Sequence, residues 1–494
     1  MPNNQKKIWS EVPSDATPQK PPKIKIDTKW ILAGVLAVIT LITAIITNIG
    51  HNNNASTSVN SLDIDNGDTK INWERYTITD IELSESPTIT SSGIYRITGS
   101  LTDGSILINT GSKGEVKLIL DNVSIKNSIG PAINCISSDD LVIELVGENY
   151  LTDGTKYSTD LDEDIKSTIY SKADLTFEGD GELSVTANYQ DAIVSKDDLK
   201  FNSGTYHISA IDDGIYGKDS VYITDGTFDI AVKGDAIKST NETDMGKGFV
   251  LIENGNLAIA AGDDGIHAIN SFIVQNGIID ITKSYEGLEA KRITINNGEI
   301  SVTSSDDGIN AGGGSSNTSN NPMSSDANCE LNFNGGDIYV NASGDGLDSN
   351  GHIYFNSGKV VVDGPTNNGN GALDSGLGII MNGGEVIAVG SSGMAETLGN
   401  TSSIYNISSY FTTQQTAGTK IEIKNSDDET ILEHTSAKTF NHLSAGSAYF
   451  KLGETYTLYL NGEKYQDFVI SDIVTTIGNS NSNNMMMSPG NNKR

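Results

Sequence analysis

Asp191-Ala192-Ile193, Asp213-Gly214-Ile215, Asp235-Ala236-Ile237, Asp264-Gly265-Ile266, Glu286-Gly287-Leu288, Asp307-Gly308-Ile309 and Asp345-Gly346-Leu347 repeat one motif: an acid, a small residue and a branched aliphatic. Weaker copies surround Ile133, Ile169 and Leu373. The spacings 193 to 215, 215 to 237 and 266 to 288 are 22 residues, and 288 to 309 is 21. Longer intervals contain insertions at 153–164, 243–248 and 312–327. Self-similarity at a fixed period marks a repeat architecture.

A glycine turn sits between successive motifs, as Asn202-Ser203-Gly204, Asp225-Gly226, Asn254-Gly255, Asn276-Gly277, Asn297-Gly298, Asn334-Gly335-Gly336 and Asn356-Ser357-Gly358. Alternating segments such as Val221-Tyr222-Ile223-Thr224 and Phe228-Asp229-Ile230-Ala231-Val232 flank these turns, which argues strand–turn–strand. An antiparallel sandwich explains the turns but not the return of the acidic motif every 22 residues. A coil of three short strands and three corners needs about that length, and stacks on the next coil at about 4.8 Å. The expected fold is all-β: a right-handed single-stranded parallel β-helix of about ten rungs. The 52 glycines and only 10 prolines suit such a fold. Cys135 and Cys329 lie in different repeats and are expected to stay unpaired.

The chain carries 32 basic and 64 acidic residues, a net charge of −32. Residues 1–29 hold six lysines and three acids, so the remainder stands at −35. That excludes nucleic acid as a partner of the acidic part and points to cations, or to ligands reached through them. Trp30 to Ile49 is a run of 20 uncharged residues, long enough to cross a bilayer as a helix. Lysines precede it and a neutral stretch follows, so the expectation is a single-pass anchor in the cell membrane, with its N-terminus cytoplasmic and its C-terminal domain extracellular. The expected domains are a basic, Pro-rich tail (1–29), the transmembrane anchor (30–49) and a polar stalk (50–70). They continue as the β-helix (71–400), a C-terminal β cap (401–477) and a disordered tail (478–494).

Stacking turns a sequence position into a line. Two residues before the core aliphatic stand Asp191, Asp213, Asp235, Asp264, Glu286, Asp307 and Asp345, one acid per rung. Carboxylates in register lie about 5 Å apart and repel. Raised pKa values, side chains splayed into water or bound cations are the possible outcomes. One position earlier the residues are Gln190, Asp212, Gly234, Asp263, Tyr285, Asp306 and Gly344, so every second rung gains an acid. The alternation suggests discrete all-oxygen sites drawing on neighbouring rungs, which suit Ca²⁺. Asp-Asp-Gly is also ordinary corner chemistry. The position after the core aliphatic holds Tyr170, Tyr216, Lys238, His267, Glu289 and Asn310, an outward mixture that a groove for a sugar polymer, or any exposed face, would use.

The stretch Ile169-Tyr170-Ser171-Lys172-Ala173-Asp174-Leu175-Thr176-Phe177, then Asp191-Ala192-Ile193-Val194-Ser195-Lys196-Asp197-Asp198-Leu199, followed by the Asp-Asp-Gly-Ile rungs, resembles a family of bacterial surface proteins. These are the carbohydrate-binding β-helix domain proteins first described in cellulose-degrading clostridia. The resemblance spans residues 75–475 and includes Gly453-Glu454-Thr455-Tyr456-Thr457-Leu458-Tyr459. It implies a pectate-lyase-like shape, calcium along the helix, and binding of cellulose-type or pectic polysaccharide without cleavage. On that footing Asp212, Asp213, Asp263, Asp264, Asp306 and Asp307 are calcium candidates. Many family members are secreted freely, whereas this chain is read as anchored, which leaves adhesion to wall glycans open.

A lyase on such a fold needs a base beside calcium. Arginine occurs only at 75, 96, 292 and 494, and Arg292, next to Lys291, is the candidate nearest the file. A repeated site argues for repeated binding, whereas catalysis requires one asymmetric constellation. The expected function is calcium-dependent capture of polysaccharide at the cell surface by a non-catalytic, monomeric protein. A lyase using Arg292 and a purely structural surface rod are the alternatives.

Overall fold

A computed structural model describes residues 62–64, 71–111, 114–312 and 325–478. The expected tail, the anchor at 30–49, the rest of the stalk, most of the 312–327 insertion and residues 479–494 lie outside the described residues. Among the described residues no helix is long and apolar enough to cross a membrane.

The strands wind as a parallel β coil with three faces. The first face runs through Ile169, Ile193, Ile215, Ile237, Ile266, Leu288, Ile309, Leu347 and Leu373, each opposite the next. The second pairs Leu141, Leu175, Leu199, Val221 and Val250 in the same manner. The third pairs Leu183, Tyr206, Phe228, Leu257 and Ile279. Strict register keeps identical positions in line, so inward aliphatic and aromatic side chains form one continuous core. Aromatic stacks run along it, Phe177 on Phe201 at 5.0 Å and Phe333 on Phe355 at 5.2 Å.

Among the described residues, two strands on the first face precede the ten core positions read from the repeat, Thr88–Ile89 and Ile106–Asn109. They lack the acidic motif, which is why the repeat did not reveal them. Coiling begins at Ile78–Leu83, which pairs with Gly93–Leu101. The turn glycines fall in line with positive φ, at 126° in Gly255, 116° in Gly277 and 118° in Gly298. That backbone region favours glycine. A side chain at Gly277 would also meet the carbonyl of Gly255.

The coil ends by reversal. Its last third-face strand, Glu385–Gly390, pairs antiparallel with Phe440–Ser447, which in turn pairs with Asn406–Gln415. Lys420–Lys424, Thr430–Thr435, Thr455–Leu460 and Glu463–Val469 form a separate antiparallel sheet. A second apolar core unites these strands. Asp363, wholly buried on the last coils, joins the two parts. Its carboxylate accepts hydrogen bonds from the Tyr339 hydroxyl at 2.9 Å, the Ser436 hydroxyl at 3.0 Å and the Ala437 amide at 3.0 Å. His434 Nε2 lies 2.9 Å away.

Residues 62–64, from the segment read as a polar stalk, are not free. Leu62 and Ile64 pack on an outward apolar patch of Phe249, Leu251 and Ile273. The Asp63 amide donates to Gly246, and Lys247 Nζ donates to the Asp63 carbonyl, both at 3.1 Å. Cys135 and Cys329 are both buried and unpaired.

Burial works against the Asp363 carboxylate, and its hydrogen bond with His434 overcomes this, holding it below the usual carboxylate range. A carboxylate depressed in the folded chain stabilises above its unfolded pKa of about 4, and that stability is lost as pH falls below it. Asp363→Ala leaves the His434, Ser436 and Ala437 groups without their acceptor and should cost about 3–5 kcal/mol in chemical denaturation. Asp363→Asn should show less of the acid-linked loss between about pH 4 and 2 than the parent chain.

Candidate functional site

The acid column follows from a backbone deficit. At the corner before the first face, the amide one residue ahead of the acid donates to the preceding coil, as Gly234 does to Asp212 and Tyr285 to Asp263. One residue after the acid the direction reverses: Gly214 donates to the Asp235 carbonyl and Gly265 to that of Glu286, each on the following coil. The amide of the acid itself is caught between the two patterns. The side chain of the preceding coil supplies its acceptor. Oδ1 of Asp191 takes the Asp213 amide at 3.2 Å, Asp213 that of Asp235 at 2.9 Å, Asp235 that of Asp264 at 3.0 Å, and Asp264 that of Glu286 at 3.3 Å. The ladder resumes with Asp307 accepting from Asp345 at 2.6 Å and Asp345 from Gly371 at 2.5 Å. Glu286 departs from it; its Oε2 accepts from Asn310 Nδ2 at 3.0 Å.

With Oδ1 committed, Oδ2 faces the neighbouring outward column. Tyr216, Lys238, His267, Glu289 and Asn310 are in register there, as expected. Two of them neutralise the file. Lys238 Nζ lies 2.6 Å from Asp235 and 3.3 Å from Asp213. His267 Nδ1 lies 3.3 Å from Asp264 and 2.5 Å from Glu289. Burial disfavours both cations, but the flanking carboxylates prevail: Lys238 is raised and His267 is held up to about 10. The expectation that Tyr170 faces outward is corrected, and other members of the mixture are tied to the file. Lys238, His267 and Glu289 bond back to the file. Tyr170 is fully buried, packed with Ile165 and Val194 and flanked by Tyr157 and Leu161 of the 153–164 insertion.

Burial, with like charge added, raises carboxyls along the file, the cation-paired Asp213 and Asp264 included. Burial first, then the Asp213 charge, pushes Asp191 up to about 7. Burial and Glu289 push Glu286 to about 8. At the far end Asp307 stands at about 6, Asp345 at about 7 and Asp348 at about 8, burial again leading.

Ligand oxygens of Asp191, Asp212 and Asp213 lie within 4.8 Å of one another, as do those of Asp235, Asp263 and Asp264. Each group draws on two neighbouring coils. Asp306 and Asp307 join no comparable group with Glu286 among the described residues. Gly234 is matched to the first group, since a side chain there would strike Asp213 Oδ1 and Asp212 Oδ1. The residues fit a hard cation: oxygens converge, and the next coil leaves their space open. A further group, Asp174, Asp197 and Asp198, occupies the corner between the first and second faces. The repeated Lys-x-Asp pattern at Lys172 and Lys196 carried that signal. Tyr285, 48% exposed, stands in line between Asp263 and Asp306 and is the aromatic surface this edge offers. Arg292 lies on the second face opposite Ser271 and Glu330, with Nε donating to the Asn328 carbonyl at 3.0 Å. Lys291 faces Asp326. Among the described residues neither forms an ion pair with the file.

The ladder separates two roles of one carboxylate. Asp345→Asn keeps the acceptor for Gly371 and relieves repulsion from Asp307 and Asp348, so denaturation should show no loss, or a gain. Asp345→Ala strands a buried amide and should cost about 1–3 kcal/mol. A carboxyl raised in the folded chain destabilises as pH climbs from its unfolded value of about 4 through the folded one. In chelator the melting temperature should therefore fall between about pH 4 and 8, and millimolar calcium should flatten that slope.

The profile of the family described as carbohydrate-binding domain-containing protein matches residues 84–326. A carbohydrate-binding domain-containing protein of Acetivibrio thermocellus is 37% identical over 207 residues, covering 41% of this chain and 72% of that protein. A solved structure described as the polysaccharide lyase-like protein from C. thermocellum, a gadolinium derivative, is 31% identical, with a TM-score of 0.40. The match covers 42% of this chain and 90% of that one. With the coil and its acidic edge goes the sequence kinship, and the chain belongs to the carbohydrate-binding domain family.

Proposed function

We propose that this chain captures an acidic or cellulose-type polysaccharide through calcium held on the coil edge, and does not cleave it. The observation that carries this reading is the pair of three-carboxylate groups, Asp191/Asp212/Asp213 and Asp235/Asp263/Asp264, each built across two coils. When bound, calcium supplies positive charge and vacant coordination positions for sugar hydroxyl or carboxylate oxygens. The chain's own part is to hold one oxygen of each ladder aspartate on a backbone amide, fixing where the other points. Asp212 and Asp263, both exposed, complete the groups from the row that also carries Tyr285. A polymer lying along that row meets carboxylate-bound ions and one aromatic face. The winding is right-handed in this reading, as parallel β crossovers overwhelmingly are.

Binding rather than lyase chemistry is favoured by the state of the available bases. Lys238, the cation nearest the file, is kept protonated by Asp213 and Asp235, and Arg292 is engaged at Asn328 on another face. The apolar run at 30–49, with lysines before it and a neutral stretch after it, supports a membrane anchor with the coil outside the cell.

Pulldown on insoluble cellulose and on polygalacturonate gels, with calcium or with chelator, tests the proposal. Capture should require calcium. Asp212→Asn and Asp263→Asn, outside the backbone ladder, should each lower calcium stoichiometry without lowering the melting temperature in chelator. Tyr285→Ala should weaken capture several-fold, about 0.5–1.5 kcal/mol. Equal capture in chelator and calcium would overturn the calcium role. Unsaturated uronate released on incubation would replace binding by cleavage.

A further inference from the structure

We propose that Asp264, His267 and Glu289 form a single site for a borderline divalent transition ion such as Zn²⁺ or Co²⁺, chemically distinct from the all-oxygen groups. His267 Nδ1 faces both acids, at 3.3 Å from Asp264 Oδ2 and 2.5 Å from Glu289 Oε2, and one ligand atom from each residue lies within 4.8 Å of the others. All three side chains are less than one-fifth exposed. Positions are fixed before any ion arrives. Asp264 Oδ1 is held by the Glu286 amide, which turns Oδ2 toward the imidazole, and Glu289 is set opposite His267 by strand register.

The neighbouring coil provides an internal contrast. Lys238 occupies the same column but bridges two acids of the file, Asp213 on the preceding coil and Asp235 on its own, whereas His267 joins Asp264 to Glu289 of its own column. An ammonium group only neutralises, whereas an imidazole nitrogen also ligates once the incoming metal has displaced its proton. Imidazole with carboxylate suits zinc, copper, nickel or cobalt, which calcium-type oxygen groups do not select. Metal–nitrogen and metal–oxygen bonds of about 2.0–2.2 Å require ligand atoms roughly 3 Å apart or more, so Glu289 needs to draw back by about half an ångström. Asp264 belongs also to the group with Asp235 and Asp263, so the two ions would share its carboxylate or exclude one another.

The test uses the metal-free full-length chain in calcium-free buffer, titrated with Co²⁺ and followed by its visible absorption and by equilibrium dialysis. One equivalent should bind with a spectrum that reports nitrogen ligation. His267→Lys places at 267 the ammonium that Lys238 carries, in reach of Asp264, and should melt near the parent temperature, yet bind that equivalent at least tenfold more weakly. Asp212→Asn should leave it unchanged. His267→Gln serves as the second variant should the lysine perturb folding. Identical Co²⁺ binding in the His267 variants, or none in the parent chain, would overturn the site. Neither result bears on polysaccharide capture, which is measured separately with calcium.

Discussion

From Asp213 onward, the amide of each file acid has no main-chain acceptor in the hydrogen bonds of the coil. It lies where the hydrogen bonds of the coil switch from pointing backward to pointing forward, and burial forbids leaving it unmet. An aspartate on the previous coil has the reach to fill it, as at 2.9 Å between Asp213 and Asp235 and 3.0 Å between Asp235 and Asp264. Repetition of this local solution brings a carboxylate to the same corner on successive coils. The charge that makes the edge chemically active is thus a by-product of closing a hydrogen-bond gap. Glu286, one methylene longer, turns instead to Asn310.

Having created a row of like charges, the chain neutralises it unevenly. Lys238 and His267 act as built-in counterions in the middle of the file. Asp191 near its start and Asp345 and Asp348 near its end have no such partner, and their carboxyls rise to about 7, 7 and 8. Burial leads each of these rises and like charge adds to it, and even the paired Asp213 and Asp264 stand above the usual range. A repeating backbone therefore carries a non-repeating electrostatic pattern.

The coil was legible because its decisive signal is periodic: an acid, a small residue and an aliphatic recurring at 21 or 22 residues leave few architectures open. The grouping of Asp212 with Asp213 and of Asp263 with Asp264 followed from the same alignment. Direction did not. Nothing in the spacing says that Oδ1 is engaged by an amide, nor that Lys238 bends back onto Asp213 and Asp235, because both depend on where the hydrogen bonds of a corner reverse. Tyr170 was misplaced for another reason. Its column is outward-facing, but the 153–164 insertion folds over it, anchored by buried Asp153, whose carboxylate accepts from the Tyr157 hydroxyl at 2.8 Å. Long-range cover of this kind leaves no mark on the covered residue.

On the proposed capture, the reversal at Glu385–Gly390 has a consequence for how a polymer would be held. Because Phe440–Ser447 runs the opposite way along that edge, winding stops there. The number of contact points is written into the chain, and their separations are fixed by main-chain hydrogen bonding rather than by flexible linkers. Weak individual attachments on so stiff a frame reinforce one another only when a ligand presents matching groups at matching intervals. Valency and spacing, more than the strength of any one contact, then set which long polymers remain attached and which short fragments wash away.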